Sequence, residues 1–140
     1  MITYFSLTWQ NCGLHCGEDI SSTIIIVTSS KQKITYGQLD ARGNVISHQD
    51  GPLQASNGRR FFTLIEEAFN QWAGQDDFSI PVCDGSCWNI KLRFSSGKTY
   101  RIKGTVAFPP LGKQIEEELL RLSSDAGIRI YQLFGCDSFD

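Results

Sequence analysis

Apolar and polar residues alternate along several stretches of the chain, which is typical of strands with one buried face. The alternation predicts strands over residues 2–9, 34–39, 45–48 and 128–134, and a hairpin over residues 88–106. The hairpin is the clearest of these elements, and its turn falls at Ser96-Gly97. The run 23–28 is β-branched throughout, which predicts a strand covered on both faces.

Two other stretches repeat apolar residues every three or four positions, as an amphipathic helix does. The stripe of the first predicted helix consists of Phe61, Phe62, Ile65, Ala68, Phe69 and Trp72. Asn57 is its expected N-cap and Gly74 its expected end. The stripe of the second consists of Leu111, Ile115, Leu119 and Leu122. Pro110 fits the first turn of this second helix, because no N–H is needed there.

Together these elements predict the α+β fold class, with a single antiparallel sheet and two amphipathic helices on one face. A chain of 140 residues fits one domain, and we expect residues 1–140 to form it. Each half of the chain has a Cys-x3-Cys segment, a hairpin and an amphipathic helix, in that order. The same pattern is therefore open to a second description, as a duplicated ββα unit.

Composition and charge exclude several classes of protein. With 41% hydrophobic residues the chain is not of the disordered type, and it lacks the roughly 20-residue apolar run of a membrane-spanning helix. Its first residues lack the basic start of a secretory signal. The five cysteines are an odd number, which favours a reducing compartment over a disulfide framework. We therefore expect a cytoplasmic protein.

The net charge of −2 conceals an uneven distribution of charge. Side chains on a strand alternate between its two faces, so four cations of the hairpin are expected to point the same way: Lys91, Arg93, Arg101 and Lys103. Lys98 lies beside them at the turn, and we expect no acidic residue on this face. The acidic residues gather on or after the predicted helices, at positions 66–67, 76–77 and 116–118.

This basic face predicts a docking surface for a partner protein with an acidic surface. A nucleic acid is a less favoured partner. Single-strand binders usually add exposed stacking aromatics, and the aromatics of this hairpin are expected on its other face. The plainer alternative is that these cations only solvate exposed strands and guard them against aggregation.

Four of the five cysteines form two identical spacings, and they are the candidate metal ligands: Cys12, Cys16, Cys83 and Cys87. Four thiolates can hold a structural zinc in tetrahedral geometry, although Cys-x3-Cys is less diagnostic than Cys-x2-Cys. Two alternatives remain open, which are buried free thiols and local disulfides. If the halves are related by a twofold axis, the two segments lie at opposite ends of the sheet and cannot share a metal.

The sequence carries no strong catalytic motif. It has no Gly-x-Ser-x-Gly elbow, phosphate loop or His-Glu-x-x-His segment. His15 could pair with Cys12 or Cys16 as a thiol nucleophile, but nothing marks a third, orienting group. We therefore expect a small non-enzymatic interaction protein of the inhibitor or adaptor type. The alternative is a ligand-binding or zinc-stabilised domain. A thiol enzyme is a third and less favoured interpretation.

The segment from Trp88 to Leu122 resembles a group of small uncharacterised bacterial α+β domains. They share a hairpin led by tryptophan, a glycine near the end of its second strand, a proline and an amphipathic helix. Here these features are Trp88, Gly104, Pro109-Pro110 and the helix from Leu111. Some such domains are carried by mobile elements and bind host or competitor proteins, for instance as inhibitors of defence enzymes. The resemblance implies a fold of this class and an action by binding, and it carries over no catalytic residue.

Overall fold

The computed structural model describes residues 1–12, 22–40, 42–79, 85–105 and 109–130. Seven strands and two helices lie within these residues. The strands are β1 (Ile2–Cys12), β2 (Ser22–Thr28), β3 (Lys33–Leu39), β4 (Val45–Pro52), β5 (Asp77–Phe78), β6 (Gly85–Phe94) and β7 (Thr99–Thr105). The helices are α1 (Ala55–Trp72), which lies between β4 and β5, and α2 (Gly112–Asp125), which follows β7.

The strands form one open sheet in the order β4-β3-β2-β1-β6-β7-β5. All neighbouring strands pair antiparallel except β5, which pairs parallel to β7. The central strand β1 pairs with β2 on one side and β6 on the other, so it joins the first half of the chain to the second. The predicted α+β class is confirmed.

Both helices pack on the same face of the sheet, because their apolar stripes share one core with alternate strand residues. Phe5, Leu7 and Trp9 of β1 lie near the centre of this core and are at most 4% exposed. Phe61 of α1 meets Phe5 edge-on, with ring centroids 5.2 Å apart. Ile115 of α2 is fully buried in the same cluster. Full burial of each large apolar side chain is worth roughly 1.5–3 kcal/mol, so this face holds the fold together.

The start of α1 differs from the prediction. The helix begins at Ala55 with Gln54 as its N-cap, so the expectation that Asn57 caps it is wrong. The Asn57 side chain contacts α2 instead. Its amide group donates to Asp125 at 3.4 Å, and its oxygen accepts from Arg121 at 3.3 Å. The polar residue that looked like a cap therefore joins the two helices.

The chain after β7 also differs from the prediction. α2 begins at Gly112, so Pro110 precedes the helix and does not fill its first turn. Residues 128–130 follow α2 without forming a strand, and the rest of the predicted last strand, 131–134, lies outside the described residues. Ile128 is nevertheless buried, and its Cδ1 lies within 3.3 Å of the position that a Cβ on Gly51 would occupy. Over residues 128–130, the alternation reflects packing of Ile128 against the core without strand pairing.

The two halves of the chain are similar in order but unequal in size. Four strands precede α1, whereas three strands lie between α1 and α2. A repeat of two ββα units therefore accounts for only part of the described sheet.

Candidate docking site on the open sheet face

No described helix or strand covers the face of the sheet opposite the helices, and we call it the open face. Its residues alternate with the core residues along each strand. From β4 to β7 they are His48 and Asp50, then Lys33 and Thr35, then Ile24 and Ile26, then Tyr4, Ser6 and Thr8, then Asn89, Lys91 and Arg93, and finally Arg101 and Lys103.

Four of the five predicted cations lie together on the open face, at β6 and β7. Lys91 is directly opposite Arg101 in the register of the two strands. Arg93 lies two positions along β6 from Lys91, and Lys103 lies two positions along β7 from Arg101, so all four side chains share one face. Lys91 is half-buried and the other three are exposed. We call these four residues the basic cluster.

Tyr4 of β1 adds an aromatic ring to the basic cluster. The guanidinium carbon of Arg93 lies 4.9 Å from the centre of the Tyr4 ring, and the Lys91 ammonium lies 5.9 Å from it. A cation over a ring is worth about 0.5–1 kcal/mol at an exposed site, so the ring helps to hold both cations in place. Sequence reasoning missed this role of Tyr4, because the pairing of β1 with β6 joins distant segments and leaves no local pattern.

Lys98, the fifth predicted cation, does not belong to the basic cluster. Its ammonium lies 5.3 Å from the centre of the Tyr100 ring. That ring packs against Phe69 of α1, with centroids 4.9 Å apart, and so lies on the helix side of the sheet. A hydrogen bond with Tyr100 raises the pKa of Lys98. The expected position was wrong because a turn residue does not follow the alternation of the strands beside it.

An acidic residue lies next to the basic cluster, contrary to the expectation that this face has none. Asp77 of β5 is paired with Lys103 in the register, and their side chains form an ion pair of 3.9 Å. Hydrogen bonds with Ser79 lower the pKa of Asp77, and the charge of Lys103 lowers it further. Within the part of the chain that the structure describes, no ion pair reaches the other three cations.

The centre of the open face is apolar. Ile24 and Ile26 of β2 are half-buried, whereas Ile25 between them is fully buried on the helix side. The expectation that this strand is covered on both faces is wrong, because only neighbouring strands, and no described second layer, shield Ile24 and Ile26. Ser6 of β1 is paired with Ile26 on one side and with Lys91 on the other, and it is 5% exposed. The open face therefore changes from apolar to cationic between β2 and β6.

The opposite end of the open face, at β3 and β4, is close to neutral. Asp50 accepts a hydrogen bond from the Thr35 hydroxyl at 2.7 Å. It also lies 3.8 Å from the Lys33 ammonium and 3.7 Å from the His48 ring nitrogen. The pKa of Asp50 is lowered, mainly by the Thr35 hydrogen bond and further by Lys33 and His48. Among the described residues of the open face, the cations without an ion pair therefore lie at the β6–β7 end.

Three residues quoted for the expected resemblance, Trp88, Gly104 and Pro110, pack behind the basic cluster. Trp88 and Gly104 face each other in the β6–β7 register, and a Cβ on Gly104 would come within 2.3 Å of the Trp88 ring. Glycine therefore leaves the space that the indole occupies. Phe78 of β5 stacks on the same ring, with centroids 6.2 Å apart. Trp72 of α1 donates from Nε1 to the Pro110 carbonyl at 2.9 Å. Packing contacts therefore account for the tryptophan, the glycine and the proline of this segment.

Among the four predicted metal ligands, only Cys87 has a described side chain, and it forms a disulfide. The β1–β6 pairing places Cys12 opposite Gly85, two positions from Cys87. Cys12 and Cys87 therefore lie at the same end of the sheet, and the separation that a twofold relation between the halves would impose does not apply to these two residues.

The zinc hypothesis stays a prediction. Cys16 and Cys83 lie outside the described residues, and within those residues no three His, Cys, Asp or Glu side chains group as a metal site. A sulfur in a disulfide is not a zinc thiolate, so the disulfide and the metal are alternative states of Cys87. Metal analysis of protein purified without chelator separates them, and less than about half a zinc per chain would remove the hypothesis.

A groove of about 350 Å³ lies between α1 and the turn that joins β2 to β3. Its lining includes Leu53 and Phe62, which are apolar, and Arg59 and Glu66, which are charged. The volume is within the roughly 300–1,000 Å³ range of small-molecule pockets, so the alternative of a small ligand has a place in the fold. Among the described residues, neither Cys87 nor any member of the basic cluster lines the groove.

Comparison of the sequence with models of protein families found no match, and comparison with curated proteins found none that is significantly similar. Neither of the two described helices is long and apolar enough to cross a membrane. The inference of function therefore starts from the open face itself.

Proposed function

We propose that this protein acts by binding, as an inhibitor or adaptor that docks an acidic partner protein on its open face. The basic cluster makes the primary contact, and Ile24 and Ile26 supply an apolar centre beside it. The single observation that carries the proposal is the position of Lys91 directly opposite Arg101.

The Lys91–Arg101 pair is unfavourable for the isolated fold. Like charges directly opposite each other on neighbouring strands are destabilising, by up to about 1 kcal/mol. Arg93 and Lys103 extend the same sign of charge along both strands, and only Lys103 has an acidic partner among the described residues. If these side chains served only to solvate exposed strands, a mixture of positive and negative residues would do so equally well. An acidic partner converts this repulsion into attraction, which supports a binding role.

The apolar centre of the open face favours a protein partner over a nucleic acid. Protein interfaces combine an apolar, desolvated core with a polar or charged rim, and Ile24 and Ile26 lie within two strands of the basic cluster. A nucleic acid backbone offers charge but no complement to two aliphatic side chains. Tyr4 is a single ring beneath Arg93 and Lys91, whereas single-strand binders stack successive bases on several aromatics.

A charge-reversal series tests the proposal. All four residues of the basic cluster are changed to glutamate, and the matched control is Lys98→Glu, which reverses one charge on the helix side of the sheet. Affinity capture with mass spectrometry names a partner, and calorimetry with the purified partner then gives the dissociation constant. We expect wild type and Lys98→Glu to bind alike and the fourfold variant to bind roughly a hundredfold more weakly or worse. Wild-type affinity should fall as salt screens the charges.

Two results would contradict the proposal. One is a partner that the fourfold variant binds as tightly as wild type does, and the other is an equal loss in the Lys98→Glu control. Competition with poly-glutamate and with a single-stranded oligonucleotide separates the partner classes, because cluster-dependent binding of the oligonucleotide alone would favour nucleic acid. Melting curves of every variant show whether the fold is intact. Loss of the partner's own activity on binding distinguishes an inhibitor from an adaptor.

A further inference from the structure

The outer edge of β4 is the longest unpaired strand edge among the described residues. β4 has eight residues, and it pairs with β3 on one side and with no described strand on the other. The opposite edge strand, β5, has only two residues. A free strand edge presents unpaired backbone N–H and C=O groups that can bind another strand.

β4 has few of the features that normally keep a strand edge from pairing. Lysine, arginine and internal proline are absent from it, since Pro52 is its last residue. Residues 45–50 are all exposed, and they include Val45 at 60% and Ile46 at 48%, two of the most exposed large apolar side chains described. A register shift close to Leu39 makes Ile46 an extra residue, and such a bulge is itself a protective feature, but from Ser47 to Pro52 the strand keeps a regular register with β3. The edge can therefore pair along this regular part.

We propose that β4 pairs antiparallel with β4 of a second copy of this chain, so that two seven-stranded sheets become one continuous sheet. Pairing of one edge with the same edge gives a closed twofold dimer. The two-residue β5 cannot pair along an eight-residue strand, so copies do not add on without limit. Asp50 is already compensated by Lys33 and His48, and two β4 edges therefore meet without strong like-charge repulsion. The opposite end of the sheet, at β7 and β5, is less suited to such pairing, because the basic cluster lies beside it.

The dimer has a consequence for docking, although it does not depend on the docking proposal. From β6 to β4 there are four strand spacings in each copy, and one more joins the copies. At about 4.8 Å per spacing, the two basic clusters lie roughly 43 Å apart along the joined sheet, and a twist of about 20° per strand turns them toward opposite sides of the dimer. Each dimer would then bind two partner molecules independently, one at each basic cluster.

Light scattering across a concentration series tests the dimer. The edge variant is Ile46→Lys/Gln49→Lys, which places like charges on β4 at two exposed positions. Its matched control is Leu120→Lys/Asn70→Lys, which makes the same types of change at exposed positions on the helices. We expect wild type to reach twice the monomer mass as concentration rises. The edge variant should dissociate at roughly tenfold higher concentration or more, and the control should behave as wild type.

Hydrogen exchange gives a second readout that does not rely on a variant. The amides of β4 should become more protected as the wild-type concentration rises, while those of the central β1 should not change. A monomer at every soluble concentration would overturn the proposal, and so would a dimer that the edge and control variants weaken equally. Circular dichroism and melting temperature confirm that the edge variant folds. Either of these two results would overturn the dimer and leave the docking proposal standing, because the basic cluster lies four strands away from β4.

Discussion

The helix-covered face and the open face are made of alternate residues of the same strands, but they meet different demands. On β6, Trp88, Ile90 and Leu92 are at most 1% exposed beneath the helices. Lys91 and Arg93, which lie between them in sequence, point away from the core and share one sign of charge. The first set is what a stable core requires. In the second set, Lys91 faces a like charge, Arg101, across the strands, which the stability of the isolated fold does not require and which the docking proposal explains.

This contrast teaches that the side of the strand, more than the residue type, decides what a substitution does. Ile25 and Ile26 are neighbours of identical chemistry, but one is fully buried beneath the helices and the other is half-buried on the open face. Substitutions on the helix-covered face should therefore act on stability. Substitutions on the open face should act on binding and leave the fold nearly as stable as before.

The largest expected effect is the difference between Ile25→Ala and Ile26→Ala. Ile25→Ala leaves a cavity in the core and should lower the free energy of unfolding by about 2–5 kcal/mol. Ile26→Ala removes partly solvated atoms and should cost about 1 kcal/mol or less. Both variants lose the same β-branched residue from the same strand, so each controls for the other. Denaturant unfolding measures both, and equal losses would contradict the distinction between the faces.

Two glycines on opposite faces of the sheet should respond differently to substitution by alanine. Gly104→Ala on the helix-covered face would force a methyl group to within 2.3 Å of the Trp88 ring, and overpacking of this kind costs typically about 1–3 kcal/mol. Gly37→Ala on the open face would meet the Ser47 carbonyl at 3.3 Å and His48 Cβ at 3.6 Å, which small shifts can relieve. We expect a lowered melting temperature and a perturbed tryptophan spectrum for Gly104→Ala, with little change for Gly37→Ala. A tolerated Gly104→Ala would mean that the Trp88 ring can move.

A smaller and opposite effect on stability is expected for Lys91→Glu. The substitution places an acid opposite Arg101, so it replaces a repulsive cross-strand pair by an attractive one. Stability should stay the same or rise by a few tenths of a kcal/mol, while binding of an acidic partner weakens. Chemical denaturation and titration of the same samples give both quantities. A loss of stability above about 1 kcal/mol would show that the Lys91 charge serves the fold, and would remove the main support for docking.

The sequence predicts local features well and distant pairings poorly, and the open face shows why. Four members of the basic cluster were predictable because strand periodicity alone puts them on one side. Tyr4 and Asp77 were not, since they reach the cluster through the pairing of β1 with β6 and of β5 with β7. Such neighbours are fixed by tertiary packing. The predicted position of Lys98 was wrong for a local reason, because a turn residue does not follow the alternation of the strands beside it. The same β1–β6 pairing brought Cys12 and Cys87 to one end, which no spacing reveals.

The smallest expected effects come from the two acids at opposite ends of the open face. Both Asp50 and Asp77 have a pKa below the ordinary value of 3.8, so their stabilising contribution is present above that pH and is lost as pH falls through the lowered pKa. Melting temperatures of Asp50→Asn and Asp77→Asn should thus lie slightly below wild type near neutral pH and converge with it in acid.

Binding separates the two variants. Asp77→Asn frees Lys103 within the basic cluster and should tighten binding of an acidic partner, whereas Asp50→Asn, at the neutral end, should leave it unchanged. An equal effect on binding would mean that the whole open face, and not the basic cluster, sets the affinity.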